Sequence, residues 1–301
     1  MPLKYPLYLV DAFTTERFKG NPAGVVPHAD GLTKEQMQAV AREMNCSETA
    51  FVLTPTDSGH DVHLRYFTPK VEVPICGHAT IAAHFVRATE SASYSGVVRQ
   101  RTQVGVLPVK IDRDEKGILV TMAQAEIVMG RVLSPDLVRS LMQGLGITAA
   151  ELDERCPVQI VSTGHSKVLV GLRSHRTLNG LQPDLAALSS LSARIQCNGY
   201  FMFTLDSPHR NYLTAGRMFA PAIGIAEDPV TGNGNGPLGA YLIHHGLVET
   251  SGDTFRFTGL QGEAIGRGGE CFVAVHLKRG KPHKIEVGGR AVIVFRTEIE
   301  L

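Results

Sequence analysis

The chain has 301 residues, 43% of them hydrophobic, so it can bury a large core as one big domain or as two domains of about 150 residues. Its 30 lysines and arginines balance 29 aspartates and glutamates, and this near-neutral charge argues against nucleic acid or an anionic membrane as a partner. With no run of 18 apolar residues and no signal-peptide pattern, we expect a protein that is neither exported nor membrane-spanning.

Apolar alternation and β-branched residues predict that strands dominate the chain. The predicted strands cover residues 5–13, 23–28, 49–54, 61–68, 105–112, 117–122, 157–163, 166–172, 200–205, 271–277 and 291–297. The predicted helices are Thr33 to Glu43, the run after Gly77, Pro135 to Gly144, Asp184 to Leu191 and the run after Gly236. This pattern is typical of a mixed α+β protein. The polar run 112–117 is the best candidate for a boundary near mid-chain, although a tight hairpin explains it equally well.

An internal repeat spans about half of the chain. The pattern R-x-F-x-P occurs at Arg65 and again 152 positions later at Arg217, each time before a glycine-led helix. A weaker similarity relates the segments that begin at Gly20 and Gly164, in the same order. Two matches in register predict two homologous halves that face each other, each presenting one helix N-terminus to the cleft between them.

Helix N-termini suit small anions, because their first backbone N–H groups are unpaired and carry partial positive charge. Gly77 and Gly232 allow close approach of a ligand there, although either one alone reads equally well as an ordinary turn glycine. Neither segment fits a nucleotide-binding pattern. A small carboxylate is therefore the predicted substrate, and two such N-termini can stabilise the charge that develops when a neighbouring C–H is deprotonated.

Glu48, in the peptide that starts at Asn45, is the candidate base at the start of a predicted strand. Cys76 is the rival base, but its counterpart in the second half is Thr231, which disfavours a mechanism with two thiols. His78 and Asp228 lie near the glycine turns and are candidates to orient the substrate or relay a proton, with helix capping as the structural alternative.

The remaining polar residues point to structure rather than to further chemistry. The pair Arg65 and Arg217 is predicted to brace the strand that leads into each glycine turn, with direct substrate contact as the alternative. His244 and His245 have no ligand spacing such as HExxH, so no metal is predicted. The five cysteines are widely spaced and form no CxxC pair, which favours reduced thiols in the cytosol.

Four segments together resemble one known family of enzymes. They are DAFT with F-x-GNPAGVV from Asp11, NCSETAFV from Asn45, RYFTPKVEVPICGHATIAAHFV from Arg65, and GRMFAPAIGIAEDPVTGNGNGPLGAYL from Gly216. In combination they resemble the PhzF-like isomerases over nearly the whole chain. They are closer to the uncharacterised YddE-type members than to the phenazine-pathway isomerase that names the family.

This resemblance implies the fold of diaminopimelate epimerase. Two pseudo-symmetric halves are expected, each an open β-barrel-like sheet around a central helix, with the active site between them and a homodimer as the assembly. The expected halves are residues 1–117, completed by the C-terminal strand 290–301, and residues 118–289.

The resemblance also implies a cofactor-independent isomerase. Glu48 matches the catalytic glutamate of the family, assisted by residues that match His78 and Asp228, and the phenazine enzyme uses that glutamate to shift hydrogen within a dihydro-hydroxyanthranilate. The residues expected to bind substrate lie in the same motifs: Asn21, Cys76, Gly77, Thr231, Gly232 and Asn233. Asn233 replaces a serine of the phenazine isomerase, which leaves the identity of the substrate open.

The sequence is compatible with three functions. The first is an isomerase that moves a proton next to a carboxylate or conjugated acid. The second is an amino-acid racemase or epimerase in which Glu48 works with a second base. The third is a carboxylate-binding protein without turnover.

Overall fold

Strands outnumber helices in the computed structural model, which describes residues 3–301. The strands there are β1 (Lys4–Ala12), β2 (Asn21–Val26), β3 (Glu48–Leu53), β4 (Val62–Phe67), β5 (Glu72–Val73), β6 (Gly96–Thr102), β7 (Gly105–Asp114), β8 (Gly117–Ala123), β9 (Val128–Val132), β10 (Gln159–Ser162), β11 (Lys167–Leu172), β12 (Tyr200–Thr204), β13 (Thr214–Ala220), β14 (Ile225–Asp228), β15 (Thr254–Gln261), β16 (Gly269–Lys278), β17 (Lys281–Gly289) and β18 (Ala291–Glu300). The α-helices are α1 (Lys34–Met44), α2 (Gly77–Glu90), α3 (Pro135–Leu145), α4 (His175–Gly180), α5 (Leu185–Ile195) and α6 (Gly232–His244). The predicted α+β class is confirmed. Within residues 3–301, no helix combines the length and apolar character needed to span a bilayer.

Most predicted helices begin and end close to the expected residues because local caps determine their ends. Thr33 caps α1 through a reciprocal pair of hydrogen bonds with Gln36, and Asn45 ends the helix in the left-handed conformation. Pro135 occupies the first turn of α3, where its missing N–H costs nothing.

Helix α6 is the exception, since the sequence predicted it only after Gly236. It begins four residues earlier at Gly232, and Pro237 lies inside it. A Cβ at Gly236 would lie 1.8 Å from Gln124 Oε1, so close packing explains a residue that normally weakens a helix. Tertiary contacts therefore override the low helix propensity of this segment.

Several strands were missed by the alternation pattern: β5, β6, β9, β13, β14, β15 and β17. Strand β13 shows the reason, because all seven of its residues are buried although they include Gly216 and Arg217. A Cβ at Gly216 would lie 2.6 Å from the ring of Phe201. Side-chain packing rather than intrinsic propensity therefore specifies this strand.

The chain forms two compact units, whose boundaries along the sequence fall after Ala123 and before Gly288. The first unit runs to Ala123 and includes Gly288–Leu301, and the second is Gln124–Val287. Within the first unit, the polar run 112–117 lies in the β7–β8 hairpin, with Glu115 and Lys116 as its turn. The division into homologous halves at residues 117/118 and 289/290 stays a prediction.

Each unit has the same order of strand pairings. In the first unit, β2 is parallel to β3, β3 is antiparallel to β4, and β4 is parallel to β6. In the second, β11 is parallel to β12, β12 is antiparallel to β13, and β13 is parallel to β15. This repetition agrees with the period found in the sequence.

A largely buried helix lies at the corresponding position of each unit. Helix α2 follows β5 and contacts β1, β2, β3, β8 and β18. Helix α6 follows β14 and contacts β10, β11 and β16. The fold therefore places the start of each glycine-led helix shortly after a short strand, with three residues between them.

The repeated arginines brace these strands, as predicted. Arg65 in β4 donates two hydrogen bonds to Glu72 in β5, at 2.7 and 2.9 Å. Arg217 in β13 donates two to Glu227 in β14, at 2.9 and 2.8 Å. Both guanidinium groups also lie over the phenylalanine two residues later, which fixes their orientation. The R-x-F part of the repeat is therefore structural.

Candidate active site

Glu48 is the first residue of β3, in the first unit. It pairs with Ala23 of β2 in the parallel register, and the four residues that follow it are buried. Both faces of β3 are therefore covered. The Glu48 side chain is 18% exposed, so the strand holds a mostly enclosed carboxylate at its first position.

His78 lies on the first turn of α2, next to this carboxylate. Its Nε2 atom is 3.4 Å from Glu48 Oε2 and 3.1 Å from the hydroxyl oxygen of Ser47. Its Nδ1 atom is 3.4 Å from the Cys76 sulfur. The imidazole therefore stands between a carboxylate and a thiol, in a position to exchange a proton with either.

The start of α2 carries no side-chain cap, because Cys76 at the N-cap position makes no capping hydrogen bond. Gly77 is not required by packing inside the unit, since the nearest atom to a Cβ there would be Met122 Sδ at 4.0 Å. The first turn of α2 is therefore without a side-chain cap and has room beside Gly77.

A chain of buried hydrogen bonds leads from His84 to the backbone carbonyl at the start of α2. His84 donates to Gln100 Oε1 at 2.7 Å, Gln100 Nε2 donates to the Tyr66 hydroxyl at 3.0 Å, and Tyr66 donates to Thr80 at 2.6 Å. Thr80 in turn donates to the Cys76 carbonyl at 2.7 Å. Burial lowers the pKa of His84 to about 4, so the ring is neutral at pH 7 and suits this one-directional chain.

Among the other residues assigned to substrate binding, Asn21 also lies in the first unit. It is the first residue of β2, is 1% exposed and pairs with Ala12 of β1. It therefore lies in the strand that pairs with β3, which carries Glu48.

The start of α6, in the second unit, differs from that of α2. Thr231 is the N-cap residue, and its hydroxyl accepts the N–H of Asn233 at 3.2 Å. Gly232 is required by packing, because a Cβ there would lie 2.9 Å from Val287. Thr231 and Cys76 occupy equivalent positions, but the threonine oxygen is already engaged in capping.

Gln261, at the end of β15, organises the segment before α6 and was missed by sequence reasoning. Its Oε1 atom accepts hydrogen bonds from the Thr231 N–H at 3.1 Å and from the Asn235 side chain at 3.0 Å. Its Nε2 atom donates to the Asp228 carbonyl at 2.8 Å. No sequence motif marks this residue, because its role depends on contacts between distant segments.

Asp228 ends β14, and Thr231 rather than Asp228 caps α6. The capping alternative for Asp228 is therefore wrong.

Lys167 of β11 is 7% exposed, and its ammonium donates to the Ser166 carbonyl at 3.2 Å. Burial lowers the pKa of Lys167, while the negative charge of Asp228 acts in the opposite direction. A buried lysine near Asp228 was not expected from the sequence.

The structure thus brings Glu48, Cys76 and His78 together within the first unit. One donor atom from each lies within 4.8 Å of the other two. Asp228, Thr231, Gly232 and Asn233 lie in one short segment of the second unit.

The model of the PhzC-PhzF family, described as phenazine biosynthesis-like protein, matches residues 10–297. The chain belongs to this family. An uncharacterized isomerase of Clostridium acetobutylicum is 49% identical, with 99% of each chain covered. The uncharacterized isomerase YddE of Salmonella typhimurium is 45% identical, with 98% of each covered. The predicted YddE-type resemblance is confirmed.

Enzymes of known reaction are more distant relatives within the family. The trans-2,3-dihydro-3-hydroxyanthranilate isomerase of Pseudomonas chlororaphis is 33% identical over 97% of this chain and 98% of its own. The predicted assignment to the isomerases is confirmed.

Solved structures agree with the fold. The Bacillus anthracis phenazine biosynthesis protein of the PhzF family superposes with a TM-score of 0.90 at 28% identity, covering 99% of this chain and 100% of its own. A hydroxyproline epimerase from Agrobacterium vitis superposes with a TM-score of 0.62, covering 100% of this chain and 94% of its own. At 15% identity this second likeness concerns the fold alone, and it confirms the expected epimerase-like architecture.

Proposed function

We propose that this enzyme is a cofactor-independent isomerase that moves a proton next to a carboxylate or conjugated acid of a small molecule, with Glu48 as the general acid and base. The main support is the 3.4 Å separation of Glu48 Oε2 and His78 Nε2. Both groups stand at the first residues of regular elements, which hold them in place without a mobile loop.

The proposed chemistry follows from this arrangement. The Glu48 carboxylate takes a proton from the substrate carbon, and the electron pair left behind spreads into the adjacent acid group. The start of α2 favours the resulting negative charge. Glu48, now neutral, returns the proton at another carbon, and His78 orients its carboxyl group. Asp228 is proposed as a further assisting group on the substrate.

Substrate binding is proposed for six residues, on the motifs that carry the family resemblance: Asn21, Cys76, Gly77, Thr231, Gly232 and Asn233. The uncapped first turn of α2 supports this role for Gly77. For Asn233 the backbone N–H is already bonded to Thr231, so its side chain is the proposed contact.

Solvent exchange tests the base. The enzyme is incubated in D₂O with a panel of small carboxylates that includes trans-2,3-dihydro-3-hydroxyanthranilate, the compound named for the Pseudomonas relative. We expect deuterium incorporation by NMR and its loss in Glu48→Gln. Glu263→Gln is the matched control, because Glu263 also pairs with an imidazole, that of His175 at 2.8 Å, outside the site. Exchange that survives in Glu48→Gln would refute the assignment.

A racemase or epimerase is the second candidate. Its support is the Cys76 sulfur at 3.4 Å from His78 Nδ1, which offers a second base on the other side of the imidazole. A mechanism with two thiols is disfavoured, since Thr231 takes the equivalent position. Chiral chromatography of the same reactions across the amino acids separates the two: inversion at one carbon favours the racemase, and transfer between carbons favours the isomerase.

Binding without turnover is the third possibility. It predicts thermal stabilisation by carboxylates that persists in Glu48→Gln, with no exchange in the wild type. A homodimer and a cytosolic location stay predictions, which sedimentation velocity and cell fractionation would test.

A further inference from the structure

Three different metal-ligating side chains converge where α2 begins. Glu48 offers a carboxylate oxygen, Cys76 a sulfur and His78 a ring nitrogen, with one atom of each within 4.8 Å of the others. We infer that these residues bind a thiophilic divalent cation of the Zn²⁺ type, and that the bound ion inhibits the enzyme. The inhibition, but not the binding, rests on the proposed role of Glu48.

The donor set selects the kind of ion. Zn²⁺ accepts sulfur, imidazole nitrogen and carboxylate oxygen together, at about 2.0–2.3 Å, whereas Mg²⁺ and Ca²⁺ prefer oxygen alone. Three protein ligands leave a fourth tetrahedral position for water.

The observed spacing already holds one pair of donors at the distance such an ion requires. In a tetrahedral site with those bond lengths, ligand atoms lie about 3.3–3.8 Å apart. The separations between Cys76 Sγ and His78 Nδ1 and between His78 Nε2 and Glu48 Oε2 are both 3.4 Å. The histidine binds an ion through one nitrogen only, so one of these two separations joins two ligands of the same ion, and the third donor, within 4.8 Å of both, must move toward that ion.

The three side chains are largely buried, and neighbouring hydrogen bonds hold them in place. Cys76 is 8% exposed, and the His78 and Glu48 side chains are 10% and 18% exposed. Thr80 holds the Cys76 carbonyl through both its N–H and its hydroxyl, at 3.0 and 2.7 Å. The Ser47 hydroxyl contacts His78 and can orient the ring. Within residues 3–301, no other three His, Cys, Asp or Glu side chains gather this closely.

Binding requires no redox partner. The Cys76 thiol loses its proton to solvent as the sulfur–metal bond forms, while the carboxylate and the neutral imidazole donate lone pairs they already carry. Inhibition follows because Glu48 accepts the substrate proton with an oxygen lone pair, and the bound ion occupies that lone pair.

Cobalt(II) tests the site without any substrate. Titration of the full chain with Co²⁺ should produce a sulfur-to-cobalt charge-transfer band in the near ultraviolet, which Zn²⁺ displaces. Cys76→Ser should abolish the band, and Glu48→Gln should weaken binding by at least about tenfold. Cys156→Ser is the control and should keep the band, since burial raises the pKa of that thiol to about 12. Absence of a band in the wild type, or its persistence in Cys76→Ser, overturns the site.

A second measurement isolates the inhibition. Saturating Zn²⁺ should slow solvent exchange by the wild type at least about tenfold, and a chelator should restore it. If exchange continues at full rate with Zn²⁺ bound, the inhibition is wrong and the metal site stands. If exchange depends on Glu48 but Co²⁺ does not bind, the metal site is wrong and the proposed function stands. If Co²⁺ binds but no carboxylate of the panel takes up deuterium from D₂O, the proposed function is wrong and the metal site stands.

Discussion

Replacing Arg217 by methionine should destabilise the protein strongly. The Arg217 and Glu227 side chains are only 6% and 12% exposed, so the substitution leaves a carboxylate largely enclosed without its cation. It also removes the donor to the Leu178 and Leu181 carbonyls, at 3.1 and 2.9 Å. Breaking a buried ion pair on one side costs about 3–5 kcal/mol, and we expect a loss of unfolding free energy in that range.

The equivalent arginine of the first unit supplies the matched control. Arg65 is 22% exposed, and Glu72 keeps a second cation after Arg65→Met, because Lys34 Nζ lies 3.3 Å from Glu72 Oε2. The expected cost is about 1–2 kcal/mol, closer to that of ordinary hydrogen bonds.

Urea unfolding of both variants, followed by circular dichroism, measures the difference. The double change Arg217→Met with Glu227→Leu should recover most of the stability, since it removes the unpaired charge as well. Equal costs for Arg217→Met and Arg65→Met, or no recovery in the double variant, would refute the explanation by buried charge.

Three further predictions concern the segments around the site. Burial lowers the pKa of His84 to about 4, so below about pH 6.5 the unfolded chain binds more protons at this residue than the folded protein does. The free energy of unfolding should therefore fall as the pH drops toward 4. In urea titrations between pH 7 and 5, wild type should lose about 2 kcal/mol more than His84→Gln. Equal losses would contradict this. Gly236→Ala should lower the free energy of unfolding by about 1–3 kcal/mol through its clash with Gln124, and thermal unfolding should show a lower melting temperature; Gly77→Ala should show neither effect, because the nearest atom is 4.0 Å away. Gln261→Leu should cost about 2–3 kcal/mol and raise amide hydrogen exchange at the start of α6, and unchanged exchange there would argue against its anchoring role.

The candidate site was only partly accessible from the sequence. Glu48, Cys76 and His78 stand out in motifs, but their approach within 4.8 Å depends on how β3 and α2 pack. Ser47 adjoins Glu48 in sequence and could have been named from that adjacency. Gln261 could not, because a glutamine at the end of a strand looks the same whether it faces solvent or holds a helix.

The sequence by itself determined the strand-rich α+β class, the ends of α1 and α3, and the repeat marked by Arg65 and Arg217. These features depend on local caps and on apolar periodicity, whose free energies involve residues close together in the chain. Tertiary structure alone decided the early start of α6, the burial of β13 and the gathering of donors around His78. Those depend on contacts between segments far apart in sequence, where packing outweighs local propensity.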